Sequence, residues 1–440
     1  MSTQNKNLTG GRTADAKSNF GGKGWLMVLV SALYYILLIS FDNGLSFIVP
    51  VFEAAHGWNQ TTLFLFTTIG GWVAVAFILI FGIVKRIKGN KRVIVISMII
   101  YLVCLLLWTF AQNIAMYAIG AIGVKASGTV FVFLGVAGIA SNWFPTKKGL
   151  FMGWATMGVT AATLIATLAL PGLLAKGIVV AFGFFLILGI ITFILTLVFV
   201  KDTPEEAGAY PDNDRSMSSE QVKFMQEQST KIMRSSPWTL SRSLKSPTVW
   251  IIALIFSVFN FVTMATASQT IMAGISFGHA LTTLQLVMTI GCIVNLFFNY
   301  IGGVVDQKLG TRIATLLCMV MLTVALLLMG LLGTITPLFC VACMLTTAAT
   351  GIGNNMMISL STTIWGRYDM DTPYTIILMV QMVISSFGYT VLSALSQSFG
   401  YGIALCIFAC VVVIAIILTA VLRDKFLGRT TEEVMAVKQD

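Results

Sequence analysis

The sequence predicts an all-α membrane protein whose twelve transmembrane helices form two pseudo-symmetric bundles of six. Composition is the first reason: 57% of the 440 residues are hydrophobic and only 10% are charged, whereas a soluble domain carries about 25% charged residues. So few charges cannot cover a water-facing surface, but in lipid the apolar side chains can face outward. The other two reasons are the confinement of the charges to short segments between long apolar runs, and a six–connector–six layout.

Twelve apolar runs reach the length of about 20 residues that a spanning helix needs. In chain order they are 25–51, 62–84, 93–112, 115–142, 149–174, 178–200, 248–272, 281–304, 312–333, 337–365, 372–397 and 402–423. Turn-like links such as 111–113 and 333–337 separate them, so we expect up-and-down helices.

A polar segment, 201–247, interrupts the runs between the sixth and seventh spans, and within it 216–233 is typical of an amphipathic helix. The predicted organisation is an N-terminal tail 1–24, a first bundle 25–200, a connector 201–247, a second bundle 248–423 and a C-terminal tail 424–440. We expect a monomer in the lipid bilayer.

Basic residues concentrate in alternate links. They are Lys85, Arg86, Lys88, Lys91 and Arg92 after span 2, Lys147 and Lys148 after span 4, Lys308 and Arg312 after span 8, and Arg367 after span 10. Because cytoplasmic links are enriched in Lys and Arg, we expect these links and both termini on the cytoplasmic side of a plasma membrane, in a bacterium. The net charge of +10 does not indicate a nucleic-acid partner, since the basic residues form no single patch with interleaved aromatics.

The sequence contains few residues of the kinds that catalyse reactions or bind metal ions. All seven cysteines lie inside apolar runs, so no disulfide framework is expected, and we interpret the Cys340–Cys343 pair as small apolar side chains. The two histidines lie in predicted external links, and no phosphate-binding glycine loop is present. We therefore expect no enzyme site, no metal, no cofactor and no nucleotide-driven transport.

The two halves repeat each other weakly. The pairs Gly82/Gly302, Arg92/Arg312 and Trp143/Trp365 recur at an offset of 220–222 residues. Internal repeats are common in transporters, which hold substrate near the midplane between the halves.

The links after spans 2 and 8 resemble the signature of the major facilitator superfamily, Gly-x-x-x-Asp-Arg-x-Gly-Arg-Arg. Its candidate gating residues are Gly82, Arg86, Gly89 and Arg92 in the first copy and Asp306, Gly310 and Arg312 in the second. The resemblance implies the major facilitator fold and alternating access. Arg86 stands where the family has an acid that helps to hold the outward-open state, so the first copy departs from the usual cytoplasmic latch.

A narrower resemblance is to the oxalate/formate antiporter and monocarboxylate transporter branch. Four stretches carry it: Gly57-Trp58, Asn142-Trp143-Phe144-Pro145, Thr203-Pro204-Glu205-Glu206-Ala207-Gly208, and Trp238-Thr239-Leu240 through Trp250. The oxalate carrier has an Arg in helix 8 and a Lys in helix 11, and neither is present here. The resemblance therefore implies a small organic anion but gives no support to oxalate.

Asp42 and Lys125 are the ionisable residues that stand well inside the apolar runs. Such a group costs at least about 2.5–3.5 kcal/mol on insertion scales, so its presence needs a reason. From the external ends of spans 1 and 4, Asp42 is ~14 Å deep and Lys125 ~15 Å deep. We expect them to form an ion pair in which Lys125 attracts a substrate carboxylate, while Asp42 binds a coupling proton or releases Lys125. The alternative is a permanent pair that only fixes helix packing.

Uncharged polar residues supply the other candidates for substrate binding. They are Tyr34 and Tyr35 in span 1, Asn260 and Gln269 in span 7, and Asn354 and Asn355 in span 10. Gly351 and Gly353 predict a gating bend in span 10, because glycine weakens a helix by about 1 kcal/mol relative to alanine.

Together these features favour a secondary carrier of a small organic monocarboxylate, as an antiporter or a proton symporter. The alternatives are a carrier of a larger hydrophobic acid or drug with a structural Asp42–Lys125 pair, a solute sensor without net transport, and a channel.

Overall fold

A computed structural model describes residues 20–145, 147–214, 220, 224, 227, 235–422, 426–429 and 433. The side chains of Arg86, Lys148, Asn354, Asn355, Arg367, Tyr368 and Asp371 are outside this description. The predicted helix over 216–233 lies, apart from three residues, outside the described part of the chain.

Six helices form the first bundle. They are α1 (Gly21–His56), α2 (Gln60–Lys88), α3 (Asn90–Thr109), α4 (Ile114–Trp143), α5 (Leu150–Leu174) and α6 (Ile178–Phe199). Helix α1 ends where Gly57 takes a left-handed conformation (φ 69°) and its N–H donates to the Glu53 carbonyl oxygen. The Asn59 side chain then accepts a hydrogen bond from the Thr62 N–H and caps α2, as short polar residues commonly do.

The second bundle contains α7 (Pro247–Ser276), α8 (Leu281–Leu309), α9 (Thr311–Leu332), α10 (Thr336–Asp369) and one long run, Asp371–Val421. Gly400 breaks this run with a left-handed backbone (φ 81°, ψ 159°), which gives α11 (371–399) and α12 (401–421). Of the described helices, eleven have the length and hydropathy of membrane spans, and the last of these contains two. The predicted twelve-helix architecture is confirmed.

Several helices are locally irregular. Helix α4 is π-helical over Phe131–Val136 and α5 over Ile165–Ala169, and such bulges are frequent at functional sites. Helix α10 breaks at Gly366 (φ 72°, ψ 170°).

Helix α10 continues through Gly351 and Gly353, so the gating bend there stays a prediction. In this state the two glycines allow close packing. A Cβ on Gly351 would meet the Asn295 carbonyl oxygen of α8 at 2.6 Å, and one on Gly353 would meet the Phe259 ring of α7 at 2.1 Å.

The links divide between two faces of the molecule. The connector face holds the residues around 89, 144–147, 201–214, 310 and 366–370. The far face holds the links at 57–59, 110–113, 175–177, 277–280 and 333–335, together with Gly400. Each bundle has its own apolar core, and Phe47 of α1 packs against both cores.

The C-terminal segment 426–429 packs against the connector face of the second bundle. Arg429 forms an ion pair with Asp369 at 2.8 Å, and the Leu427 N–H donates to the Ile364 carbonyl oxygen at 2.7 Å. The Trp238 indole N–H donates to the Leu427 carbonyl oxygen at 3.2 Å. This segment thus joins the end of α10 to the last part of the connector.

Candidate transport site

Asp42 and Lys125 meet in the structure. The Lys125 Nζ atom lies 2.5 Å from Asp42 Oδ2, and the two side chains are 16% and 14% exposed, respectively. Both residues belong to the first bundle, on α1 and α4. The pair is thus a compact, nearly neutral and largely buried unit.

Close packing of helices holds Lys125 in place. A Cβ on Gly70 of α2 would lie 3.0 Å from Lys125 Cβ and 3.3 Å from Lys125 Cγ. The Lys125 carbonyl oxygen accepts a hydrogen bond of 2.7 Å from the Thr129 hydroxyl. The glycine therefore allows α2 to approach the stem of the lysine, which directs the ammonium toward α1.

Hydrogen bonds between the bundles concentrate on the far side of this pair. They join Asn59 to Gln397 (3.3 Å), Thr61 to Ser393 (3.2 Å), Thr68 to Thr390 (2.8 Å) and to the Ser386 carbonyl (2.6 Å), Trp72 to the Val383 carbonyl (3.2 Å), Gln285 to the Thr167 carbonyl (3.3 Å), and Ser46 to the Ser268 carbonyl. Within the described residues these contacts run from the far face to about the middle of the spans. These contacts close the interface between the bundles on the far side of the pair.

The predicted tyrosines have different surroundings. Tyr34 is fully buried, and its hydroxyl lies 2.7 Å from the Thr196 hydroxyl of α6, inside the first bundle. Tyr35 is half-buried and lies seven residues before Asp42, hence on the same face of α1 and about 10 Å nearer the connector face. Of the two, Tyr35 is the better placed to line the pathway.

Both the nitrogen and the oxygen of the Gln269 side-chain amide form hydrogen bonds. Its Nε2 donates to the Tyr389 carbonyl oxygen at 2.9 Å, and its Oε1 accepts from the Tyr401 hydroxyl at 3.2 Å. In this conformation the amide joins α7 to α11 and α12, and it is 1% exposed.

Among the predicted asparagines, Asn260 is half-buried and donates to the Phe256 carbonyl oxygen of its own helix at 3.1 Å. Asn354 and Asn355 lie on α10, and their side chains belong to the undescribed set. On α8, Asn299 Nδ2 donates to Asn295 Oδ1 at 3.3 Å, and Asn295 Nδ2 donates to the Thr347 carbonyl oxygen of α10 at 3.0 Å.

The signature links have the same backbone geometry in both halves. Gly89 and Gly310 take left-handed φ values of 86° and 88°, and their N–H groups donate at 3.1 Å to the carbonyl oxygens of Lys85 and Asp306. The structural counterpart of Asp306 is therefore Lys85, at an offset of 221, and not Arg86. Lys85 donates to the Leu134 carbonyl oxygen in the π-helical part of α4 at 2.9 Å, while Asp306 accepts from the Ser359 hydroxyl of α10 at 2.5 Å.

The predicted pairing of Arg92 with Arg312 needs a one-residue correction. Arg312 donates to the Thr419 carbonyl oxygen at 3.1 Å and to that of Ala420, both on α12. The matching contact in the first half comes from Lys91, whose Nζ donates to the Leu197 carbonyl oxygen of α6 at 2.8 Å, whereas Arg92 is exposed. The same offset pairs Gly82 with Gly303 and not with Gly302: a Cβ on Gly82 or on Gly303 would meet nothing within 4 Å, but one on Gly302 would meet Ile352 Cα at 3.0 Å.

Sequence reasoning missed Tyr389 of α11. It is 3% exposed and packs with the core of the first bundle although it belongs to the second. The next residue, Thr390, bonds to Thr68 of α2 at 2.8 Å, so Tyr389 lies at the interface between the bundles. A tyrosine inside an apolar span gives no signal that separates a site residue from a packing residue, so only the tertiary structure could show this.

The fold defines a class of protein: a polytopic helical membrane protein built from two six-helix bundles. The family model of the Major Facilitator Superfamily matches residues 31–279 and 249–435. The chain therefore belongs to this superfamily and is a secondary transporter, not an enzyme.

Two solved structures are similar in fold. A D-xylose–proton symporter aligns with a TM-score of 0.71 at 13% identity, over 92% of this chain and 99% of that one. A bacterial homologue of the human lysosomal transporter Spinster, in an inward-facing and occupied conformation, aligns with a TM-score of 0.70 at 14% identity, over 92% of this chain and 98% of that one. No curated protein sequence matches the chain significantly.

Proposed function

We propose that the chain transports a small organic monocarboxylate across a plasma membrane by alternating access, as an antiporter or a proton symporter. Lys125 neutralises the substrate carboxylate. In the empty carrier, Asp42 forms an ion pair with Lys125. When the substrate binds, Asp42 releases Lys125, with or without binding a proton itself.

The 2.5 Å contact between Lys125 and Asp42 supports this proposal. Both side chains keep a small exposed fraction, which agrees with a pair that lies beside a substrate pathway. A single cation suits one carboxylate better than two. The stretches similar to the oxalate/formate and monocarboxylate branch favour the same substrate class, whereas the D-xylose symporter shares only the fold.

Neutralising both members of the pair tests the proposal. The variant Asp42→Asn/Lys125→Gln keeps the size and hydrogen-bonding capacity of both side chains and leaves no uncompensated charge. We expect its melting temperature to stay near the parental value, while uptake of radiolabelled acetate or lactate into proteoliposomes falls at least tenfold, since a hydrogen bond to a charged group contributes about 1.5–3 kcal/mol.

Parental uptake of both acids by the double variant would contradict the proposal and favour a structural pair. Competition by long-chain and short-chain carboxylates in the parent protein separates a small substrate from a larger hydrophobic acid or drug.

A further inference from the structure

Both members of the Asp42–Lys125 pair belong to one bundle, which raises a question about coupling. A ligand changes a conformational equilibrium only through a difference in its affinity for the two states. An anion that touches only α1 and α4 contacts the same rigid bundle in every state. Coupling therefore needs a group from the second bundle within reach of the same anion.

Tyr389 is held firmly at this position. Its carbonyl oxygen accepts from Gln269 at 2.9 Å, and the next residue, Thr390, bonds to Thr68 of α2 at 2.8 Å. Its ring packs with the buried core of the first bundle. The side chain thus crosses the interface between the bundles and is not free to turn away.

The hydroxyl of Tyr389 lacks a strong acceptor in this state. Its contact in the described residues is the Met264 sulfur at 3.6 Å, and a thioether is a weak acceptor. The buried hydroxyls of Tyr34 and Tyr101, in contrast, have oxygen partners at 2.7 Å, Thr196 and the Leu37 carbonyl. The neighbouring Thr390 bonds to Thr68 of α2, two residues before Gly70, which packs against the stem of Lys125. An under-used buried donor on this part of the interface is suited to an anionic ligand.

We propose that Tyr389 is a substrate-positioning residue of the second bundle, whose phenol donates to the carboxylate neutralised by Lys125. The substrate then joins α4 to α11, and Asp42 is released. This inference rests on the proposed function and extends it, because it makes the phenol contact the means by which an anion in the first bundle acts on the second.

The variant Tyr389→Phe tests the inference, with Tyr117→Phe as the matched control, because Tyr117 is a buried tyrosine of α4 whose hydroxyl has no hydrogen-bond partner in the described residues. In counterflow with radiolabelled acetate or lactate, we expect Tyr389→Phe to raise the KM about tenfold and Tyr117→Phe to leave it unchanged. A second readout uses Thr61→Cys in a cysteine-free background, at the interface with Ser393. Substrate should change the labelling of this cysteine in the parent and in Tyr117→Phe but not in Tyr389→Phe.

The outcomes are distinguishable. If the parent transports neither acid nor any other short monocarboxylate, the proposed function fails. If the parent is active and Tyr389→Phe matches it in KM and in substrate-dependent labelling, this inference alone is overturned. A general packing defect would lower the melting temperature and the maximal rate without a selective rise in KM, and that result also overturns it.

Discussion

At the scale of single residues, the ion pair between Asp369 and Arg429 joins three segments that are distant in sequence. Asp369 accepts hydrogen bonds from the Arg429 backbone N–H at 2.7 Å and from its Nε atom at 2.9 Å. Arg429 also donates to the Ser235 hydroxyl at 3.0 Å. Because the Asp369 side chain is 1% exposed, this pair differs from the exposed surface pairs that contribute little to stability.

This pair has a predictable pH dependence. Burial alone would raise the pKa of Asp369, but the hydrogen bonds from Arg429 and Ser236 outweigh it, so the pKa lies below its usual value of 3.8. A carboxyl of this kind stabilises the fold above its unfolded pKa, and the stabilisation is lost as the pH falls through the folded pKa. We expect Arg429→Ala to lower the stability at pH 7 by about 2 kcal/mol, and the difference from the parent to shrink as the pH falls below 3.8.

Thermal melting in detergent across this pH range is the measurement. Arg92→Ala is the control, because Arg92 is an exposed arginine on the same face and should have little effect at any pH. A loss in Arg429→Ala that is the same at every pH would show that the guanidinium stabilises the fold through packing and not through the Asp369 charge.

The sequence predicted the ion pair at the site but not its surroundings. An unpaired charge inside a membrane span has a high free-energy cost. Two opposite charges at matching depth lower that cost by forming an ion pair, so the contact between Asp42 and Lys125 could be predicted. The phenol of Tyr389 and the amide of Gln269 carry no such penalty. Their roles depend on which helix faces which, and local sequence does not determine that.

At the scale of helices, the α2–α11 interface closes the far side through small and hydroxyl-bearing side chains. Gly71 is its tightest point, since a Cβ there would lie 2.0 Å from the Ser386 hydroxyl oxygen and 2.8 Å from Ser386 Cβ. Small residues allow such close approach between membrane helices.

We therefore expect Gly71→Ala to separate α2 from α11 and shift the carrier toward the state that is open to the far face. A spin-label pair across the far ends of these helices should show a longer mean distance. Gly82→Ala, on the same helix, is the control, because a Cβ there meets nothing within 4 Å.

Replacing Ser386 by Gly in the Gly71→Ala background removes both clashing atoms and should restore the parental distance distribution. If Gly71→Ala alone keeps the parental distance distribution, the α2–α11 interface accommodates the added methyl group and the prediction is wrong.

The apolar pattern predicts where the spans lie, but it does not predict the residue at which each helix ends. Hydropathy predicted the spans because lipid requires long apolar runs, but the helices continue past the bilayer until a backbone signal stops them. Examples are Gly57, Gly89 and Gly310, each with positive φ. The predicted start of α1 at residue 25 was four residues late, because the charged Lys23 interrupts the apolar pattern although the helix begins at Gly21.

At the scale of the whole molecule, the basic links share one face with the connector. From the positive-inside rule we propose that this face is cytoplasmic. We expect a single cysteine at Lys88 or Thr239, in a cysteine-free background, to react with an impermeant maleimide only after the membrane is opened. Cysteines at Asn113 or Lys176, on the far face, should react in intact cells. Labelling in the reverse pattern would invert the assigned orientation and the direction in which the site is open.

The two signature links have one further consequence. The same turn carries an ammonium, Lys85, in one half and a carboxylate, Asp306, in the other, so the near-symmetry of the backbone is not matched by its electrostatics. Asp202 lies against the first turn, where its carboxylate accepts from the Lys91 N–H at 2.7 Å, and so offsets part of the positive charge there. Because charged walls guide diffusing ions, the two halves of the connector face present different local fields to an approaching anion.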